Sequence, residues 1–282
     1  MLLRNADTRL MLDAVHGGAI REFSWRGLGI LRPAAAATEA DYDPMLMACF
    51  PLVPYANRIA GGRFTFAGHE VRLRRNWERD PHPLHGQAWR AAWTVESASD
   101  GQATLAFSGG GDEWPWRYRA LQEFELLADG LEVRLSVENR SDSIMPAVLG
   151  LHPYFPQAAL ATVEARARTV WLPDAQSLPV QEIMTPRDWS FDLPRSAARV
   201  ALDHSFDHWD GVAIVRWPDR TVRLSATGAR ALHVYTPANA GFFCLEPQTA
   251  AAGALNRAAG EFAGLAPGER LDLGVTFSVE QA

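Results

Sequence analysis

Two stretches of the chain alternate apolar and polar residues for the full length of a strand. Leu271, Leu273, Val275, Phe277 and Val279 are interleaved with Asp272, Gly274, Thr276 and Ser278. Leu131, Val133, Leu135 and Val137 are interleaved with Glu132, Arg134 and Ser136. A period of two sends every second side chain to one face, so each stretch predicts a half-buried β-strand. Turn chemistry falls between such runs. Asp129-Gly130 joins a strand ending near Leu127 to the one starting at Leu131, and an Asp-Gly pair supplies the positive φ angles of a tight hairpin. Gly17-Gly18, Ala67-Gly68 and Pro218-Asp219 predict three more hairpins. Apolar residues at helical spacing are nowhere sustained over a dozen positions; 44–52 and 156–161 have room for a short turn. The expected fold is all-β: one large antiparallel domain over residues 1–282, two stacked sheets with functional loops along one rim.

Composition narrows the function. At 282 residues and 48% hydrophobic content the chain can bury one large core. The net charge is -6 and no basic stripe is present, which argues against a nucleic-acid partner. All 27 basic residues are arginine, so Schiff-base chemistry, a lysine base and a P-loop lysine are excluded. Cys49 and Cys244 have no metal-type spacing and read as small buried hydrophobes. There is no apolar leader at the N-terminus and no run of about 18 apolar residues. A soluble, cytoplasmic protein with no membrane partner is the expectation.

Against this background a few polar residues stand in apolar surroundings. His152, in Gly150-Leu151-His152-Pro153-Tyr154-Phe155, is an imidazole beside aromatics, and Glu246, in Phe243-Cys244-Leu245-Glu246-Pro247-Gln248, ends an apolar strand. Histidine and glutamate are the pair needed to give one proton and take another near neutral pH. Arg58, in a loop entering a strand, reads either as a forked donor to hydroxyls or as an arginine salt-bridged at a sheet edge. His82-Pro83-Leu84-His85 has His-x-x-His spacing, but in a proline-containing loop the two rings share no helical face, which argues against zinc. His85 remains a ligand for a hydroxyl or a structural histidine. Residues 203–210, Asp-His-Ser-Phe-Asp-His-Trp-Asp, look like a charge-rich loop before a strand at Val212, with Asp203 or Asp207 as a sugar ligand.

In order along the chain, Asn57-Arg58-Ile59, Leu84-His85-Gly86, Leu151-His152-Pro153-Tyr154-Phe155, Leu202-Asp203-His204-Ser205-Phe206 and Leu245-Glu246-Pro247-Gln248 resemble the aldose 1-epimerase (galactose mutarotase) family. Each motif alone is weak; five in order are specific. The resemblance implies a large twisted β-sandwich and a cofactor-independent, metal-independent isomerase that exchanges the α and β anomers of a free monosaccharide. It implies Glu246 as general base on the anomeric hydroxyl and His152 as general acid on the ring oxygen. Arg58, His85 and Asp203 would hold the sugar. That chemistry calls for a protonated His152 beside an ionised Glu246, a charge state that proximity favours. Gly150 before the histidine motif and Pro156-Gln157 after it depart from many members and leave the preferred sugar open. Two other readings share the fold: a hexose-6-phosphate epimerase, for which Arg74, Arg75 and Arg79 are the candidate phosphate ligands, and a non-catalytic sugar-binding module.

Overall fold

A computed structural model describes residues 1–35, 42–257 and 260–282. Its framework is a fifteen-stranded sheet. One path through it runs Pro51–Leu52, Gly150–Leu151, Phe242–Gln248, Ala231–Thr236, Leu202–Arg216, Arg220–Thr227, Arg270–Gln281, Gly130–Asn139, Tyr118–Leu127, Gln102–Gly109 and Thr94–Ala98. The pairings along that path are antiparallel. Leu2–Arg4, Thr8–Asp13, Ala19–Trp25 and Leu28–Gly29 form a separate four-stranded sheet.

The alternating stretches fold as their pattern requires. Leu131 pairs with Phe277, Val133 with Val275 and Leu135 with Leu273, and all six side chains are buried in the main core. All four hairpins form, but the one at Asp129-Gly130 turns through Ala128 and Asp129, with Gly130 paired in the strand and neither Asp129 nor Gly130 at the positive φ expected of the pair. Helix, among the described residues, is confined to short 3-10 turns, such as Pro44–Leu46 and Ala158–Leu160. The four-stranded sheet packs across the large one. Phe23 meets Phe277 at 5.9 Å between ring centroids, and Phe155 meets Phe277 at 6.3 Å and Phe243 at 5.4 Å. One apolar core thus lies between the layers of a large antiparallel β-sandwich.

Residues 203–210 are not a loop. They belong to the Leu202–Arg216 strand, which pairs with Ala231–Thr236 through its first half and with Arg220–Thr227 through its second. Their composition misleads because this strand is covered on both faces. Leu202 and Phe206 enter the core, whereas Asp203, Ser205 and Asp207 point to the opposite face. A strand face that lines a cleft is polar although it is not solvated as a surface would be.

Candidate active site

Strand register assembles the site. His233 of Ala231–Thr236 is the direct partner of Ser205 on one neighbour and of Glu246 on the other. Gly150 pairs with Gln248 and Tyr154 with Cys244, which brings the intervening His152 alongside Glu246. Ser205, His233, Glu246 and His152 therefore form one row across four strand segments. Asp203, Tyr235, Cys244 and Tyr154 form the next row. A cavity of about 180 Å³ opens over these rows, and Arg58, His85, His152, Asp203 and Glu246 all line it. The five residues singled out in the sequence, spread over 189 positions from 58 to 246, meet at one place. His233, Tyr235, Asn57 and Tyr154 complete much of the wall.

At the floor, His152 Nε2 lies 3.2 Å from Glu246 Oε1. The other carboxylate oxygen, Oε2, accepts a hydrogen bond from Gln248 Nε2 at 3.2 Å. The His152 ring stacks on Tyr154 (4.7 Å, 16° between planes) and packs against Phe50 (4.6 Å), which itself lies 6.2 Å from Tyr154, and its Nδ1 is buried without a partner. Arg32 lies 4.0 Å over the far face of Tyr154 and donates to the carbonyls of Met45 and Met47. The Tyr154 stack and the Phe50 contact fix the plane of the imidazole.

His85 is held differently. It has φ of 59°, followed by Gly86 at 75°, in a tight loop, and its Nδ1 accepts the Asn57 N–H at 3.1 Å. The ring proton is then on Nε2, free to donate to a ligand. Both readings of Arg58 apply, since its Nε donates to Asp80 at 2.8 Å while its side chain reaches the cavity. Asp203 and Asp207 separate cleanly. Asp203 lines the cavity with 38% of its side chain exposed. Asp207 is buried and takes two hydrogen bonds from Arg230, each at 3.1 Å. His82 is occupied elsewhere: its Nδ1 accepts the Gly61 N–H and its Nε2 faces Gln176.

The charge state differs from the protonated histidine and ionised glutamate expected from proximity. Burial dominates. It pushes His152 down to about 3, with the charge of His233 adding to the effect, so the imidazole is neutral at rest. Burial likewise pushes Glu246 up to about 7, against the opposing charge of His233. His85 is driven well below the ordinary histidine value by burial and neighbouring positive charge. His233 goes the other way. Burial lowers it, but Glu246 and the hydrogen bond and charge of Asp203 outweigh that and hold it above the ordinary value. Asp203 falls to about 2: its burial would raise it, but His233 and Arg58 prevail.

His233 is the functional candidate that sequence reasoning missed. Within Leu232-His233-Val234-Tyr235 it looks like the polar phase of an ordinary strand, and only the register shows its partners. Among the described residues, two sets of side chains could offer a metal three ligand atoms within 4.8 Å: His152, Cys244 and Glu246, and Glu182, Asp207 and His208. Neither donor set is apt. The Cys244 thiol is pushed well above its usual range by burial, and Asp207 is already committed to Arg230.

The profile of a family described as aldose 1-epimerase matches residues 3–278. The chain is 33% identical over 287 residues to the uncharacterised protein YphB of Escherichia coli K12, covering 96% of each. It is 30% identical over 169 residues to galactose mutarotase of Mus musculus, covering 54% of this chain and 48% of that one. A crystal structure from Escherichia coli K12, described as a candidate aldose 1-epimerase, superposes with a TM-score of 0.93 at 31% identity, covering 100% of this chain and 98% of that one. A galactose mutarotase-like protein from Clostridium acetobutylicum gives 0.90 at 19% identity, covering 100% and 95%, and shares the fold.

Proposed function

We propose that this chain, which belongs to the aldose 1-epimerase family, is an isomerase that interconverts the α and β anomers of a free aldose. The reading rests on one observation above all: His152 Nε2 and Glu246 Oε1 converge at 3.2 Å on the floor of a monosaccharide-sized cavity. The anomeric hydroxyl and the ring oxygen are both bonded to C1, so a sugar seated there presents both to this pair.

The chemistry needs one proton on the pair throughout. Glu246, ionised, takes the proton of the anomeric hydroxyl while His152, protonated, gives its proton to the ring oxygen. The C1–O5 bond breaks with its electron pair going to O5, and the C1–O1 bond becomes the aldehyde carbonyl. The pair leaves this step as neutral His152 and protonated Glu246. That is the arrangement burial favours, so ring opening runs toward the resting preference of the two side chains. Rotation about C1–C2 turns the other carbonyl face to the C5 hydroxyl, and reclosure returns both protons. Arg58, the His85 Nε2–H and Asp203 hold the remaining hydroxyls, which fixes the reacting atoms.

Acid–base assistance of this kind is typically worth about 10²–10⁴-fold. Glu246→Gln keeps a side chain of the same shape that cannot take the proton. Polarimetry on freshly dissolved sugar is expected to show a loss of that order with sugar binding retained. An unchanged rate in this variant would rule the mechanism out.

A further inference from the structure

Glu246 has an imidazole on each flank. His152 stands beside it on one side, and His233 is its cross-strand partner on the other. Side chains directly opposite on one face of an antiparallel pair have Cβ atoms about 4.5–5.5 Å apart. Their surroundings make the two histidines different. His152 packs against two aromatic rings and lacks a partner at Nδ1. His233 is engaged at both nitrogens: Nε2 is 2.8 Å from Asp203 Oδ1, and Nδ1 is 3.3 Å from the Asn57 amide. One ring is built to be neutral at rest and the other to carry charge.

We propose that His233 is a positioning residue of the acid–base centre: an imidazolium held by Asp203 that lowers the proton affinity of Glu246 and so releases the single proton of the pair to His152. This rests on the anomerase reading above. The groups facing His233 are Asp203 and His204 from its neighbouring strand, Glu246 from the other, His152 beyond that, and Arg58 and His85 from the loops. Burial works against charge on His204, His85 and His152, and Arg58 is paired with Asp80. Two carboxylates are left to face one ring, and they favour its charged form. As placed, the Asn57 nitrogen faces His233 Nδ1 and its oxygen accepts the Arg58 N–H at 2.9 Å, which suits the neutral ring. The charged ring turns the amide over and exchanges that bond for one from its own Nδ1–H to the amide oxygen. A charge on His233 also repels a proton from His152. His152 is one strand further away, however, so the larger effect falls on Glu246.

His233→Gln separates charge from structure, because its amide nitrogen can still donate to Asp203 but cannot be protonated. The first measurement is the pH titration of the Glu246 carboxyl carbon by NMR in the sugar-free protein. The second is the pH profile of anomer exchange. The carboxyl of the variant is expected to titrate about one unit higher than wild type. The alkaline limb of kcat/KM moves the same way, and kcat falls about tenfold. A structural role alone would lower kcat without moving either titration. An unshifted carboxyl overturns the inference, and His233→Asn gives the same decision should the glutamine variant fail to fold. The two readings fail separately. A shifted carboxyl in a protein that exchanges no anomers keeps the coupling and ends the proposed reaction; an unshifted carboxyl in an active enzyme ends the coupling alone.

Discussion

Glu246 is a residue whose chemistry works against stability, and the sign can be followed with pH. Its carboxyl has an ordinary value of 4.5 and is pushed up to about 7 in the folded chain, chiefly by burial. Below pH 4.5 it is protonated in both the folded and the unfolded chain and changes nothing. As the pH rises from 4.5 to 7 only the unfolded chain ionises freely, so the folded state loses stability across that window. The full loss, above pH 7, is on the order of 3 kcal/mol. His152 has the opposite slope, since its lowered value makes stability rise between pH 3 and 6.5. Glu246→Gln leaves that second contribution in place. Urea unfolding at pH 8 is therefore expected to find this inactive variant more stable than wild type, with the gap closing toward pH 4.5. A variant less stable than wild type at pH 8 would show that burial is not what sets the Glu246 charge. Single residues also show how far sequence can be read. His152, Glu246 and Arg58 were visible because each is polar in an apolar run. Asp203 and Asp207 share a strand face and were distinguishable only once their partners were known, Arg230 on Asp207 and the cavity on Asp203. His233 gave no local sign because its meaning lies entirely in which residue sits opposite.

Among the elements, the hairpins were legible because their turns are local: Ala67-Gly68 carries the needed positive φ angles within two residues, and at the other hairpin Ala128 and Asp129 make the turn while Gly130 already pairs with Leu127. The Leu202–Arg216 strand was not, because its behaviour depends on its neighbours. It exchanges one partner strand for another along its length, and the exchange falls where His208 has φ of 55° and Gly211 φ of 84°. The pairing with Thr162–Pro173 also slips register between Ala165 and Ala167. Gly211 is required twice over at this bend. Its φ disfavours a side chain, and a Cβ there would stand 2.8 Å from the Ala226 carbonyl oxygen. Gly211→Ala is expected to cost about 1–3 kcal/mol in urea unfolding. A neutral result would mean that the bend relaxes and does not hold the two halves of the strand, one of which carries Asp203, in their separate pairings.

Across the whole molecule, charge decides between a free sugar and a sugar phosphate. The chain carries a net charge of -6, and the cavity is lined by two carboxylates, Glu246 and Asp203, with the His233 cation between them already held by Asp203 at 2.8 Å. The arginine on its wall, Arg58, already shares its charge with Asp80, and Arg32 is turned onto Tyr154 and two carbonyls. Arg74, Arg75 and Arg79, which the sequence offered as phosphate ligands, all lie outside the cavity lining, and Arg74 and Arg79 pair with Asp112 and Asp43. A dianionic phosphate brought to this cleft meets like charge without a free counter-charge, and such juxtapositions cost several kcal/mol. Each 1.4 kcal/mol is a factor of ten. Anomer exchange measured by NMR is therefore expected to give glucose 6-phosphate a kcat/KM about 10²-fold or more below that of glucose. The gap should narrow as salt is added, because screening acts on the repulsion and leaves the neutral sugar untouched. Equal rates on the two substrates, or a preference for the phosphate, would mean that a cation enters the site on binding and that the charge balance of the empty cleft does not govern which aldose it accepts.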